Sequence, residues 1–163
     1  MKFPFTPQTS FNDCGPTCLK MIAAYYGQDY SLNFLKRKCK IKTSGVSMLN
    51  IHKTAKAIGL NSRGVKLNIE KLKEIVQSSP ILLHCNQNHF VIVYKTPKLG
   101  SKTKYHIADP ARGLIKMKEQ ELLGYWIFKV QAKTRRSSNF LKKTAKAMLG
   151  NALIITPNRT LEK

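Results

Sequence analysis

Three residues able to make and break an acyl bond stand where the chain changes character: Cys14, His89 and Asp109. Cys14 lies in "SFNDCGPTCLKMIAAYYG", Ser10 to Gly27, just ahead of Leu19, Ile22, Ala23 and Tyr26, which recur at the spacing of one buried helix stripe. Pro16 suits the first turn of that helix, Asn12 or Asp13 is its candidate cap, and Gly27 its stop. A cysteine at the N-terminal mouth of a helix meets the positive end of the dipole. That favours the thiolate, the form that attacks electrophiles or binds metal. Cys18, one turn further on, reads as an ordinary buried cysteine.

A thiolate nucleophile needs a base, and the base needs a group that holds its orientation. His89 opens the strand-like run "HFVIVYK" straight after the polar "NQN", at the rim of a sheet where function is usually placed. His84 and His106 fall within or near strands and read as packed or solvated, and His52 as a surface residue. Asp109, in "IADP", ends the next strand-like run before a proline. If the two runs are neighbouring strands, His89 and Asp109 meet across the ladder. An acyl-transfer site also needs a donor for the developing oxyanion. Gln8, six residues before Cys14, carries such an amide, and the backbone N–H of Cys14 offers a second donor.

The elements that must position these groups follow from periodicity. A second short helix, "SLNFLKRKCKI", is capped by Ser31 with Leu32, Leu35 and Cys39 inward. A third, "SMLNIHKTAKAIG", is capped by Ser47 and closed by Gly59, with Met48 or Leu49, Ile51, Ala55 and Ile58 inward. "NSRGVKL" reads as extended, and "NIEKLKEIVQ" as a fourth helix burying Ile69, Leu72, Ile75 and Val76. "PILLHCN", "HFVIVYKT" and "KYHIADP" then read as adjacent antiparallel strands, "GLIKM" as a short strand, "KEQELLGYW" as a helical turn and "NALIIT" as a last strand. Helices first and strands afterwards predict an α+β fold, its helical half packed on an antiparallel β-sheet. The expected organisation is one domain over 1–163, helical over about 1–78 and sheet over about 79–163.

Composition narrows the function. With 163 residues, 42% apolar and 9% aromatic, the chain can bury a real core. It has no apolar run long enough to span a membrane and no signal-like N-terminus, so a cytoplasmic chain with reduced thiols is the expectation rather than a disulfide scaffold. The balance of 29 Lys+Arg against 8 Asp+Glu gives +21, a field that gathers anions. No standard nucleic-acid module accompanies it, so no specific nucleic-acid partner is expected. Much of the excess lies in a basic stretch at about 132–149, which could meet an acidic peptide or anionic lipid headgroups, or be a solvated loop.

Gln8, the Asp13-Cys14-Gly15 step, "CLKMIAAYYG", "GVSMLNIHKTAKAIGL", "PILLHCNQNHFVIVYK" and "IADPARG", in this order and spacing, resemble the bacteriocin-processing, double-glycine leader peptidases. These are papain-like cysteine proteases, usually the N-terminal cytosolic domain of peptidase-containing ABC transporters. The resemblance covers about residues 4–128 and resumes at "GNALIITP", which makes 132–149 an insertion. It implies Cys14 as nucleophile, His89 as base and then acid, Asp109 as the orienter of His89, and Gln8 in the oxyanion hole, with no metal and no cofactor. The implied substrate is a precursor peptide whose helical leader ends in Gly-Gly, cut after the second glycine. A hydrophobic groove for that leader is expected around Tyr25, Tyr26, Met48 and Leu49. The implied setting is a monomeric domain at the inner face of the cell membrane, fused to an ABC transporter or working beside one. Two rivals use the same residues: a peptidase-like domain that docks transport substrates without cutting them, and a zinc site drawn from Cys14, Cys18, His84, Cys85 and His89.

Overall fold

The computed structural model describes residues 2–85, 88–98, 104–127 and 149–158. The helices are α1 (Cys14–Tyr25), α2 (Leu32–Lys38), α3 (Met48–Ala57), α4 (Ile69–Val76) and α5 (Glu119–Trp126). The strands are β1 (Leu60–Leu67), β2 (Ile81–Cys85), β3 (His89–Lys95), β4 (Tyr105–Asp109), β5 (Gly113–Met117) and β6 (Gly150–Pro157). They form one sheet in the order β1-β6-β2-β3-β4-β5, and every neighbouring pair is antiparallel. This is the α+β arrangement that the sequence predicts, with one difference. β1, inside the stretch assigned to the helical half, lies at the sheet edge and pairs along its whole length with β6, close to the end of the chain.

Strand alternation gives the sheet two apolar faces. Leu82, Phe90, Ile92, Ala108, Leu153 and Ile155 pack with Leu19, Ile22, Leu35, Ile51 and Ala55, so α1, α2 and α3 cover one face. Leu83, Val91, Val93, Ile107 and Ala152 pack with Ile69, Leu72, Leu122 and Trp126, so α4 and α5 cover the other. Nine of the twelve residues of α1 are buried, because this helix lies between the sheet and its two companions.

Local chemistry sets the helix ends. Ser31, Ser47 and Asn68 each accept a hydrogen bond from an N–H in the first turn of α2, α3 and α4. Gly27 and Gly59 end α1 and α3 at φ +80° and +84°, a left-handed conformation that glycine adopts without steric cost. α1 itself departs from expectation. Asp13 occupies its N-cap, yet neither Asp13 nor Asn12 caps it, since the Asn12 amide donates to Lys42 O at 3.1 Å and Asp13 is held elsewhere. Leu32 is only partly buried. Of the two alternatives on α3, Met48 packs on the core and Leu49 is 57% exposed. Among the described residues no helix is long and apolar enough to cross a membrane. The stretch 132–148 lies outside the described residues. On either side of it, Trp126 Nε1 donates to Asn151 O at 3.0 Å and fastens the end of α5 to the start of β6.

Candidate active site

The sheet and α1 meet at one end. The first residue of α1 is Cys14, buried at 4% exposure, and the first residue of β3 is His89. Alternation along β3 puts Phe90 and Ile92 under α1, while His89 shares the opposite face with Val91 and Val93. Cys14 and His89 therefore arrive from different layers and meet beyond the strand end, where the sheet no longer separates them. The thiol hydrogen-bonds the imidazole and lies 4.0 Å from Asn88 O.

On its other side the ring meets Asp109 at the end of β4, with Nε2 2.8 Å from Oδ1. Antiparallel β3 and β4 pair Ile92 with Ala108, which brings the start of one strand beside the end of the next. Asp109 has no exposed surface. Oδ1 also accepts from Ala111 N at 2.9 Å, and Oδ2 accepts from Arg112 Nε at 2.7 Å. Burial opposes the charged carboxylate, but the His89, Arg112 and Ala111 hydrogen bonds prevail and lower its pKa to about 2. Burial likewise opposes the imidazolium of His89. The bonds to Asp109 and Cys14 and the charges of both outweigh it and raise the pKa to about 9. At neutral pH this histidine is a cation, set between the Asp109 carboxylate and Cys14 Sγ.

Gln8 joins the site from the extended lead-in. Its N–H donates to Pro110 O at 2.9 Å, tying the lead-in to the turn after Asp109, and its Oε1 is buried with no partner among the described residues. The structure thus gathers Cys14, His89 and Asp109 into one contact chain and fastens Gln8 to the same turn.

The four groove residues are not gathered in this way. Gly15, at the start of α1, is in close contact with Val46 and Ile51 beside the start of α3, which places Met48 and Leu49 near the Cys14 end. Tyr25 and Tyr26 lie at the far end of α1, about 16 Å along a helix that rises 1.5 Å per residue. Tyr25 stacks on Phe3, and Tyr26 donates to Ile155 O at 3.1 Å.

Sequence patterning does not single out Arg112 and Tyr125. The Arg112 guanidinium lies 4.9 Å from the centre of the Tyr125 ring, whose plane stands edge-on to His89 at 6.3 Å. Arg112 has a local signal, a cation three residues after the candidate orienter in a turn that closes from Arg112 N to Asp109 O. Tyr125 has none, because α5 brings it from outside the motif. Asn88 is a further addition. It adopts φ +58°, its Oδ1 lies 2.8 Å from His84 Nε2, and its amide donates to Ser44 O. Among the described residues no group of three or more His, Cys, Asp or Glu side chains is placed to hold one metal ion.

The model of the Peptidase C39 family matches residues 2–136. The chain is 29% identical over 125 residues to the colicin V secretion/processing ATP-binding protein of Escherichia coli, covering 77% of this chain and 17% of that protein. It is 33% identical over 95 residues to the pediocin PA-1 transport/processing ATP-binding protein of Pediococcus acidilactici, covering 56% of this chain and 13% of that protein. The chain thus spans less than a fifth of the length of these relatives. Among solved structures, a double glycine motif protease from an AMS/PCAT transporter, in complex with the leader peptide, superimposes with a TM-score of 0.71 at 26% identity, covering 96% of this chain and 92% of that one. The peptidase domain of Streptococcus ComA superimposes with a TM-score of 0.69 at 22% identity, over 96% of this chain and 99% of that one, and shares the fold. A thiol paired with a carboxylate-held imidazole on this fold accords with that match, and the chain belongs to the Peptidase C39 family of cysteine peptidases.

Proposed function

We propose that this domain cleaves precursor peptides after a Gly-Gly pair, with Cys14 as nucleophile, His89 as general base and then acid, Asp109 as its orienter, and Gln8 as an oxyanion donor. The observation that carries the reading is the contact chain Cys14, His89, Asp109, in which one imidazole has the thiol on one side and a buried carboxylate 2.8 Å away on the other.

In this reading the proton that makes His89 a cation is the one Cys14 has given up, and the Sγ anion left beside it adds to the carbonyl carbon of the second glycine. The charge that builds on the carbonyl oxygen falls between the Gln8 amide and the N–H groups at the start of α1. Collapse breaks the C–N bond, and His89 gives its proton to the departing amine, which leaves a thioester on Cys14. Water then gives a proton to His89 and its oxygen to the thioester carbon, and the second collapse returns the thiol and frees the leader as an acid. Asp109 keeps the imidazolium facing the thiol in both halves.

The relatives' transport functions suggest that the natural substrates are small secreted peptides cut in connection with ABC-transporter export, at the inner face of the cell membrane. The double glycine motif protease structure with its leader peptide supports a leader as the recognised part, and Met48 and Leu49, at the Cys14 end, are the better placed half of the expected groove. Mass spectrometry of a synthetic leader peptide and its Gly→Ala variants tests the substrate. A single cut after the second glycine, lost when that glycine becomes alanine, is expected. Cutting that ignores the glycines overturns the proposal. In Gln8→Ala the cut persists but slows by roughly 10²- to 10³-fold if the amide serves the oxyanion.

A further inference from the structure

An aspartate at an N-cap ordinarily turns its carboxylate onto the free N–H groups of the first helical turn. Asp13 does not, although it stands at the N-cap of α1 immediately before Cys14. Both of its oxygens accept from Thr9 N at 3.2 Å, and Oδ2 also accepts from the Thr9 hydroxyl. Lys36 Nζ, reaching across from α2, is 3.2 Å from the same Oδ2 and donates to Thr9 Oγ1 at 3.3 Å, closing a ring of three residues. The Asp13 side chain has no exposed surface and that of Lys36 is 29% exposed. Burial opposes the charged carboxylate, yet the Thr9 and Lys36 bonds keep its pKa below the usual range.

Three consequences converge on the thiol. The N–H groups of Cys14 and Gly15 keep no side-chain acceptor, and Pro16 has no N–H, so the positive end of α1 stays open beside Sγ. Thr9 is pinned to Asp13 while Gln8 N is pinned to Pro110 O, so the lead-in is fastened on both sides of the Gln8 amide, whose Oε1 remains unpartnered among the described residues. Finally, a bare carboxylate one residue from Cys14 would oppose thiolate formation by like-charge repulsion, and the Lys36 ammonium cancels that field.

We propose that Lys36 and Thr9 hold the Asp13 carboxylate off the mouth of α1, leaving the Cys14 and Gly15 N–H groups and the Gln8 amide for the oxyanion and shielding Cys14 from the carboxylate's charge. Asp13 and Lys36 are then positioning residues, and their effect on turnover rests on the proteolytic reading above.

A sign test separates this role from simple structural support. Lys36→Met leaves the carboxylate unneutralised, whereas Asp13→Asn leaves the ammonium unneutralised. The pH dependence of Cys14 alkylation by iodoacetamide, followed by peptide mass mapping, reads the charge beside Sγ without any substrate. The expected midpoint moves up by at least about half a pH unit in Lys36→Met and down in Asp13→Asn. It returns to the parent value in Lys36→Arg and in the double variant. The other titratable groups around Cys14 are Cys18 on α1, Cys85 on β2, His89 on β3 and, behind it, Asp109 on β4, and all are unchanged in these proteins. With a Gly-Gly peptide, Lys36→Met is expected to lower kcat about tenfold with KM within about twofold, because geometry at the oxyanion is disturbed more than leader binding. Unmoved midpoints, or shifts of the same sign in both single variants, overturn the proposal. Should Lys36→Met fail to fold, Asp13→Asn against the parent still decides the sign. If the parent itself cuts no peptide, the proteolytic reading fails while the alkylation midpoints still judge the shielding.

Discussion

The two layers packed on the sheet contribute unlike halves of the site. The α1–α3 layer delivers Cys14 on a helix that is buried nearly all round, at a mouth kept open by the Asp13–Thr9–Lys36 ring. The opposite face delivers His89 and Asp109 from strand ends, and there charge rather than packing fixes the groups, through Arg112 and the Ala111 N–H. One half is positioned by close packing and the other by hydrogen bonds to a buried carboxylate. The first should therefore respond to changes of volume, and the second to changes of charge and pH.

The largest expected effect strikes the charge-fixed half. Asp109→Ala leaves His89 unoriented and Arg112 without its acceptor, and is expected to lower kcat for a Gly-Gly peptide by about 10²- to 10⁴-fold. Asp109→Asn keeps an acceptor for the His89 Nε2–H and loses less. Steady-state kinetics of the two variants rank charge against geometry. Equal losses would mean that the carboxylate's charge, not its acceptor, is what the histidine needs.

Next come matched deletions in the two cores. Ile22, under α1, and Leu122, on α5, are both fully buried. Each alanine variant is expected to lose about 2–5 kcal/mol in urea unfolding. Because the sheet separates the two clusters, the losses should add to within about 0.5 kcal/mol in the double variant. A larger coupling would show that the layers are not independent supports.

A smaller effect is the pH dependence of stability. The folded pKa of His89, about 9, lies above its ordinary 6.5, so its contribution is fully present below 6.5 and is lost as pH rises through about 9. The folded pKa of Asp109, about 2, lies below its ordinary 3.8, so its contribution is present above 3.8 and is lost as pH falls through about 2. The pair therefore stabilises most between those ordinary values. Between about pH 6 and about pH 9.5 urea unfolding is expected to weaken by roughly 1–3 kcal/mol, and that alkaline limb flattens in His89→Ala.

Much of this is legible in the chain because it is local. The stripe of Leu19, Ile22 and Ala23, the caps Ser31 and Ser47, and the stops Gly27 and Gly59 each act within a few residues of themselves. β2, β3 and β4 follow one another closely in the chain and pair in that order, and that adjacency brings His89 to Asp109. What escapes depends on distant partners. β1 reads as an extended stretch, but only β6 makes it part of the sheet. Asp13 reads as a cap until Lys36 of α2 draws it away, and Tyr125 acquires meaning only when α5 sets it against His89 and Arg112. The groove expectation joins Tyr25 and Tyr26 to Met48 and Leu49 by hydrophobicity, which carries no information about which end of a helix faces the thiol.

The most direct test of a thiol protease assembled from two layers is mass spectrometry of a Gly-Gly leader peptide incubated with the parent and with Cys14→Ala, under reducing conditions with a chelator present. The account predicts a single cut after the second glycine by the parent and intact peptide with Cys14→Ala. Cleavage that survives the loss of Cys14, or a parent that binds the peptide and leaves it whole, would contradict it.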